Sequence, residues 1–140
     1  MKVTIIYWSG TGNTEIMANA VADGAKAAGA DAEVLHVSDA GIQVLQSDAV
    51  LFGCPAMGAE ELEDSEFDPF FSLVESSLTG KKVGLFGSYD WGDGEWMRAW
   101  QQRVENAGGY MIADGLAVHG TPDSEGIARC EELGKKAAGK

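Results

Sequence analysis

The sequence is poor in the residues that most often build metal sites and crosslinks. Its 140 residues contain two cysteines, Cys54 and Cys130, far apart and without a C-x-x-C pattern, and two histidines, His36 and His119. So few cysteines exclude a disulfide framework and a cysteine metal site. No H-E-x-x-H spacing exists to support zinc. Structural or surface roles are expected for all four residues. Basic residues are scarce as well: 10 Lys and Arg stand against 22 Asp and Glu, and none falls between Lys26 and Lys81. Residues 1–70 hold 2 bases and 12 acids, while residues 71–140 hold 8 and 10. A surface of that sign repels nucleic acid and anionic membranes and attracts a basic protein partner. Solubility alone is the other use of such acidity. No apolar run approaches the ~20 residues of a membrane helix. The opening Met1-Lys2-Val3-Thr4-Ile5 lacks the apolar stretch and cleavage site of a secretory signal, so a cytoplasmic location is expected.

What is present is ordinary globular usage, with 45% hydrophobic and 23% charged residues. The length implies one domain, residues 1–140, large enough to bury roughly 68–70% of its unfolded surface. Strand and helix patterns alternate without repeats or linkers. Val3–Trp8 is a short apolar, β-branched run, as expected of a strand covered on both faces. Ile16, Met17, Ala20, Val21, Gly24, Ala25 and Ala28 then follow helical spacing, with Gly29 as the stop. Ala32–Val37 reads as a second strand, and Asp39 as the cap of a short helix carrying Ile42 and Leu45. Ala49–Gly53 is the third strand. A helix with Phe67, Phe70, Phe71, Val74 and Leu78 follows, ending near Gly80. Val83–Gly87 is the fourth strand, and Trp96, Trp100 and Val104 line a helix stopped by Gly108-Gly109. Tyr110–Ala113 and Leu116–Val118 read as two pieces of a fifth strand. Thr121-Pro122 opens a last helix, with Pro at its first position and Ile127, Cys130 and Ala137 on its inner face. Five βα units define an α/β chain: a doubly wound, five-stranded parallel sheet with helices on both faces. Ligands of such sheets sit beyond the carboxyl ends of the strands, where strand order reverses.

The loops after strands 1, 3 and 4 are therefore the candidates. Ser9-Gly10-Thr11-Gly12-Asn13-Thr14 joins a strand to a helix start with only glycine, hydroxyl and amide residues. Its backbone N–H groups and side chains can donate to phosphate oxygens. It is not the G-x-x-x-x-G-K-[ST] loop, and Glu15 replaces the third glycine of G-x-G-x-x-G. It reads as a monophosphate cradle without a cation, or as a Gly-rich turn in which Asn13 caps the helix. In Cys54-Pro55-Ala56-Met57-Gly58-Ala59-Glu60, Gly58 allows more than one backbone conformation. Met57 can pack on a flat ring, and Glu60 can accept a hydrogen bond from a ring N–H. The alternative puts Met57 in the core and Glu60 in solvent. In Ser88-Tyr89-Asp90-Trp91-Gly92-Asp93-Gly94, a Trp between Asp and Gly is hard to bury and points to a binding surface. Its alternative is a lid over the core. Trp8 suits packing and contact equally. Together the loops specify a flat ring with a phosphate arm, the shape of flavin mononucleotide (FMN).

Tyr7–Glu15, Gly53–Gly58 and Gly87–Gly94, three ordered motifs, resemble the flavodoxin family in its short-chain, clostridial type, and the similarity runs nearly end to end. The resemblance implies strand order 2-1-3-4-5. It implies that Ser9, Gly10, Thr11, Gly12, Asn13 and Thr14 hold the FMN phosphate, within a site that also includes Pro55 and Ala56. Met57 and Trp91 would cover opposite faces of the ring, and Glu60 would bind the flavin N3–H. The Gly58–Ala59 peptide would reorient on one-electron reduction to offer the Gly58 carbonyl to N5–H. Backbone around Ser88, Tyr89, Asp90 and Gly92 would meet the pyrimidine edge or ribityl chain. Two positions depart from the family pattern. Ala59 stands where several relatives have a polar residue, and Asp90, with an added negative charge, stands where close relatives usually have Gly.

The implied function is that of a monomeric, low-potential one-electron carrier without substrate turnover. It would shuttle mainly between the semiquinone and hydroquinone of FMN, in place of ferredoxin, with basic redox partners such as ferredoxin-dependent oxidoreductases. Six acids, Glu60, Glu61, Glu63, Asp64, Glu66 and Asp68, crowd residues 60–68. At ~12 Å with water-like screening each disfavours an added electron by roughly 0.35 kcal/mol, together about 2 kcal/mol or ~90 mV. The competing enzyme reading is an FMN-dependent NAD(P)H or quinone reductase, which needs a second pocket. A phosphatase loop C-x₅-R from Cys54 would require Arg where Glu60 stands. A signalling receiver would require Asp where Cys54 stands.

Overall fold

The β-branched and apolar runs form the centre of a parallel sheet, because helices cover both of its faces. The computed structural model describes residues 1–58 and 60–139. Its strands are β1 (Lys2–Tyr7), β2 (Asp31–His36), β3 (Ala49–Gly53), β4 (Lys82–Tyr89), β5 (Tyr110–Met111) and β6 (Leu116–His119). The order is β2-β1-β3-β4-β5, and β6 also pairs with β4, so the expected fifth strand is present as two short pieces along one neighbour. All named pairings are parallel; β1 registers Ile6 against Phe52 of β3, and β3 registers Phe52 against Leu85 of β4. The order reverses between β1 and β3, and the candidate loops leave the sheet at that switch point.

The helices are α1 (Asn13–Ala27), α2 (Phe67–Glu75), α3 (Glu95–Asn106) and α4 (Ser124–Ala137). None is long and apolar enough to cross a membrane. Period-two alternation divides the core between the faces. Val3, Ile5, Ala49, Leu51 and Phe86 pack with Met17, Val21, Cys130 and Leu133 on the α1/α4 face. Ile6, Val50, Phe52, Val83 and Leu85 pack with Phe67, Phe71, Trp96 and Trp100 on the α2/α3 face. Aromatic edges interlock on the second face, with Phe67 and Trp100 ring centroids 5.4 Å apart at 88°. Helices α1 and α4 approach closely because Gly24 and Gly134 carry no side chain there. A Cβ on Gly134 would press into the Val21 carbonyl and lie 2.8 Å from the Ala25 nitrogen.

Several boundaries differ from the sequence expectation, each for a local reason. The last helix begins at Ser124, not at Pro122, because the Asp123 carboxylate accepts from Gly126 N at 2.8 Å and supplies the cap. Asp39 does not cap the short helix over Ile42–Gln46; Gly41 precedes it, and Asp39 ends a separate turn, Val37–Asp39. Helix α2 stops at Glu75, with Leu78 buried in the turn beyond it. Ile16 is 42% exposed, since Met17 and Ala20 occupy the inward face of α1.

Candidate functional site

Three loops converge beyond the carboxyl ends of β1, β3 and β4. In the first, Gly12 is the N-cap of α1 with φ 97, so the alternative of an Asn13 cap does not hold; Asn13 is the first helical residue. Ser9 Oγ accepts from Gly12 N at 3.0 Å, folding the loop. Among the described residues, the first-turn amides of α2, α3 and α4 each meet a carboxylate, from Glu63, Glu60 and Asp123 respectively. Helix α1 has no side-chain cap. No such carboxylate meets its first-turn amides among the described residues, and the positive end of a helix dipole suits a phosphate. Thr14 is buried, and its Oγ1 lies 3.1 Å from Ser88 Oγ, joining the first loop to the third.

The second loop leaves β3 through Cys54, Pro55 and the buried Ala56, whose N–H donates to Ser88 O at 3.0 Å. Met57 and Glu61 form an antiparallel bridge, with two backbone bonds of 2.8 Å. Gly58 and Glu60 in the tip both have left-handed backbone, φ 49 and φ 56. Ala59, and with it the geometry of the Gly58–Ala59 peptide, lies outside the described residues. Met57 is only half-buried rather than a core residue. Glu60 is not freely solvated, because its carboxylate accepts from Asp93 N and Trp96 N, both at 3.3 Å. Each oxygen keeps acceptor capacity beyond those bonds.

In the third loop Trp91 is 52% exposed, which rules out a lid buried over the core, and its Nε1 donates to the Gly58 carbonyl at 3.2 Å. Gly92, φ 84, passes against Glu60, leaving no room for a Cβ. Asp90 does not take the left-handed backbone; Glu60 is the one non-glycine residue there among those described. The Asp90 carbonyl lies 3.2 Å from His119 Nε2, and Tyr89 meets the same imidazole at 5.2 Å between centroids. From the sequence His119 is expected only in a structural or surface role, and nothing in its spacing announces the contact with Asp90. Trp8 sits between its two roles, packed against the α2/α3 core with Nε1 donating to Glu66 at 3.3 Å.

The acids of residues 60–68 are not equivalent. Asp68 is paired with Arg103 at 3.0 Å, and Arg103 also binds Glu75 at 2.9 Å. Glu63 is 5% exposed and accepts from the amides of Ser65, Glu66 and Phe67, each at 2.8 Å. Burial alone would raise its pKa; the hydrogen bonds from Ser65, Phe67 and Glu66 outweigh it and hold the carboxyl below the ordinary 4.5. A depressed value means that its stabilisation is complete above pH 4.5 and is lost as pH falls through the folded-state value. Glu63→Gln should therefore remove part of the acid-limb dependence of unfolding, measured by denaturant titration below that pH. An unchanged acid limb would refute the assignment. The two thiols, Cys54 and Cys130, are pushed up to about 12 by burial and are not reactive nucleophiles.

Fold and loop geometry define a doubly wound α/β protein whose three candidate loops meet at the switch point. A family model for flavodoxin matches residues 5–134. The chain is 53% identical over 137 residues to flavodoxin of Megasphaera elsdenii, covering 97% of this chain and 98% of that one. It is 47% identical over 135 residues to flavodoxin of Clostridium beijerinckii, covering 96% and 97%. The solution structure of two-electron reduced M. elsdenii flavodoxin superposes with a TM-score of 0.89 over 99% of both chains, at 53% identity. The chain belongs to the flavodoxin family, and its relatives named flavodoxin are FMN-binding electron-transfer proteins rather than enzymes.

Proposed function

We propose that this chain is a low-potential one-electron carrier on non-covalently bound FMN, working between the half-reduced and fully reduced cofactor in place of ferredoxin. The supporting observation is the convergence of the three loops, tied to one another by Thr14–Ser88 and Trp91–Gly58. Ser9 through Thr14 hold the phosphate on the uncapped amides of α1. Met57 and Trp91 flank the ring, and Glu60 offers carboxylate oxygen to the ring N–H while it caps α3. Pro55 and Ala56 fix the approach of the loop, and backbone from Ser88 to Gly92 lines the polar edge. FMN supplies the redox chemistry; the protein supplies orientation and an electrostatic field.

That field opposes the last electron. With Asp68 neutralised by Arg103, five acids of the cluster remain, giving about 1.7 kcal/mol or ~75 mV at ~12 Å and water-like screening. No cationic side chain follows the phosphate loop, and Glu15 stands in the first turn of α1. The same acids steer basic partners at low ionic strength. Glu61→Gln combined with Asp64→Asn should raise the second one-electron potential by ~30 mV, about 0.7 kcal/mol, at low salt. It should also slow reaction with basic partners there. Potentials and rates that do not respond would contradict the field. The cofactor assignment is tested by titrating FMN into the cofactor-stripped chain and following quenching of flavin fluorescence: saturable one-to-one quenching is expected, and none would refute it.

A further inference from the structure

The hairpin Met57–Glu61 is tied down unequally on its two sides. Its leading side continues β3: Cys54 N donates to Phe86 O at 3.1 Å, and the Cys54 carbonyl accepts from the buried Trp96 Nε1 at 3.1 Å. The returning side leads through buried Leu62 to Glu63, and Glu63 is held from three directions. Its carboxylate accepts the amides of Ser65, Glu66 and Phe67 and the hydroxyl of Ser65. Its carbonyl accepts from Asp68 N at 2.9 Å. Its own N–H donates to Cys54 Sγ at 3.4 Å, closing residues 54–63 into a ring.

Four donors converge on this one side chain, and only a carboxylate accepts on both oxygens without offering a donor of its own. The positive end of α2 adds to its preference for negative charge. An acid kept only for surface charge would lie in solvent, as its neighbour Asp64 does.

We propose that Glu63 is a positioning residue for the flavin-facing loop: its caged carboxylate and its bond to Cys54 fix the returning foot of the Met57–Glu61 hairpin. The proposal rests on the cofactor reading above for its consequence, but not for its geometry. It predicts that a change at Glu63, which touches neither Met57 nor Trp91, alters how well they hold a ring.

The experiment compares full-length wild type, Glu63→Gln and the solvent-exposed control Asp64→Asn by amide hydrogen exchange, with FMN bound and without. In Glu63→Gln the Met57 and Glu61 amides should exchange at least about tenfold faster, while the central amides of β3 and β4 keep their protection. FMN affinity should fall roughly tenfold, and the separation of the two one-electron potentials should change. Asp64→Asn should leave exchange and affinity at wild-type values. A lower melting temperature with unaltered hairpin exchange and FMN affinity would reduce Glu63 to a cap of α2 and overturn the proposal. If Glu63→Gln does not fold, Ser65→Ala, which removes one donor of the cage, decides instead. It should speed the same two amides by about threefold, and no change would overturn the proposal. A wild-type chain without affinity for FMN would sink the cofactor reading, whereas the exchange result decides the clamp in either case.

Discussion

Gly134→Ala should destabilise the protein by about 2–3 kcal/mol, lowering the melting temperature by roughly 10 °C. The sign is the informative part, because Gly→Ala inside a helix ordinarily gains about 1 kcal/mol. Here the new Cβ would press into the Val21 carbonyl of α1, a backbone atom that no rotamer change can move aside. The helices must separate instead, and the small residues that pack between them (Ala18, Ala22, Ala25 and Ala137) lose contact together. Gly126 in the first turn of the same helix is the control, because its Cβ would meet only ordinary contacts, 3.4 Å from Asp123 and Val118. Gly126→Ala should be neutral or stabilising. If thermal unfolding shows Gly134→Ala to be as stable as Gly126→Ala, the close helix contact is wrong.

Gly58→Val should disfavour the half-reduced cofactor by about 1–2 kcal/mol, which lowers the first one-electron potential and raises the second by ~40–90 mV each. A Cβ at Gly58 would meet nothing within 4 Å, so crowding is not the cause. The cause is the φ of 49, a left-handed backbone that a β-branched residue resists. Valine there drives the hairpin tip toward other conformations and withdraws the Gly58 carbonyl, the atom that Trp91 Nε1 reaches at 3.2 Å. Gly58→Ala should fall between wild type and valine. A spectroscopic titration that gives the same maximum fraction of half-reduced flavin in all three would show that the tip conformation does not govern the redox steps.

Both predictions depend on features that the sequence reveals unequally. The central strands were legible because parallel strands covered on both faces read as unbroken apolar runs, as in Ala49–Gly53 and Val83–Gly87. The Gly-rich turn into α1 was legible from glycine and hydroxyl residues between a strand and a helix, and the exposure of Trp91 from its place between Asp and Gly. Glu63 was not, since within Glu60–Asp68 it reads as one acid of a solvated run; only the fold of α2 brings three amides onto it. The pairing of Asp68 with Arg103 spans 35 positions and needs α2 and α3 side by side, so the sequence overstated the free charge of the acidic cluster. The approaches of Gly24 to the Glu131 backbone and of Gly134 to the Val21 backbone are likewise non-local. Helical spacing marks Gly24 as inward-facing but does not say that it meets the backbone of a helix near the other end of the chain.

The claim on which the rest turns is that these loops separate the two electrons that FMN can take up. Anaerobic reductive titration of the FMN-loaded chain, followed by visible absorbance, tests it most directly. Two resolved one-electron steps are predicted, with the long-wavelength absorption of a neutral flavin radical rising and then falling between them. Bleaching in a single two-electron step, with no transient band, would contradict it.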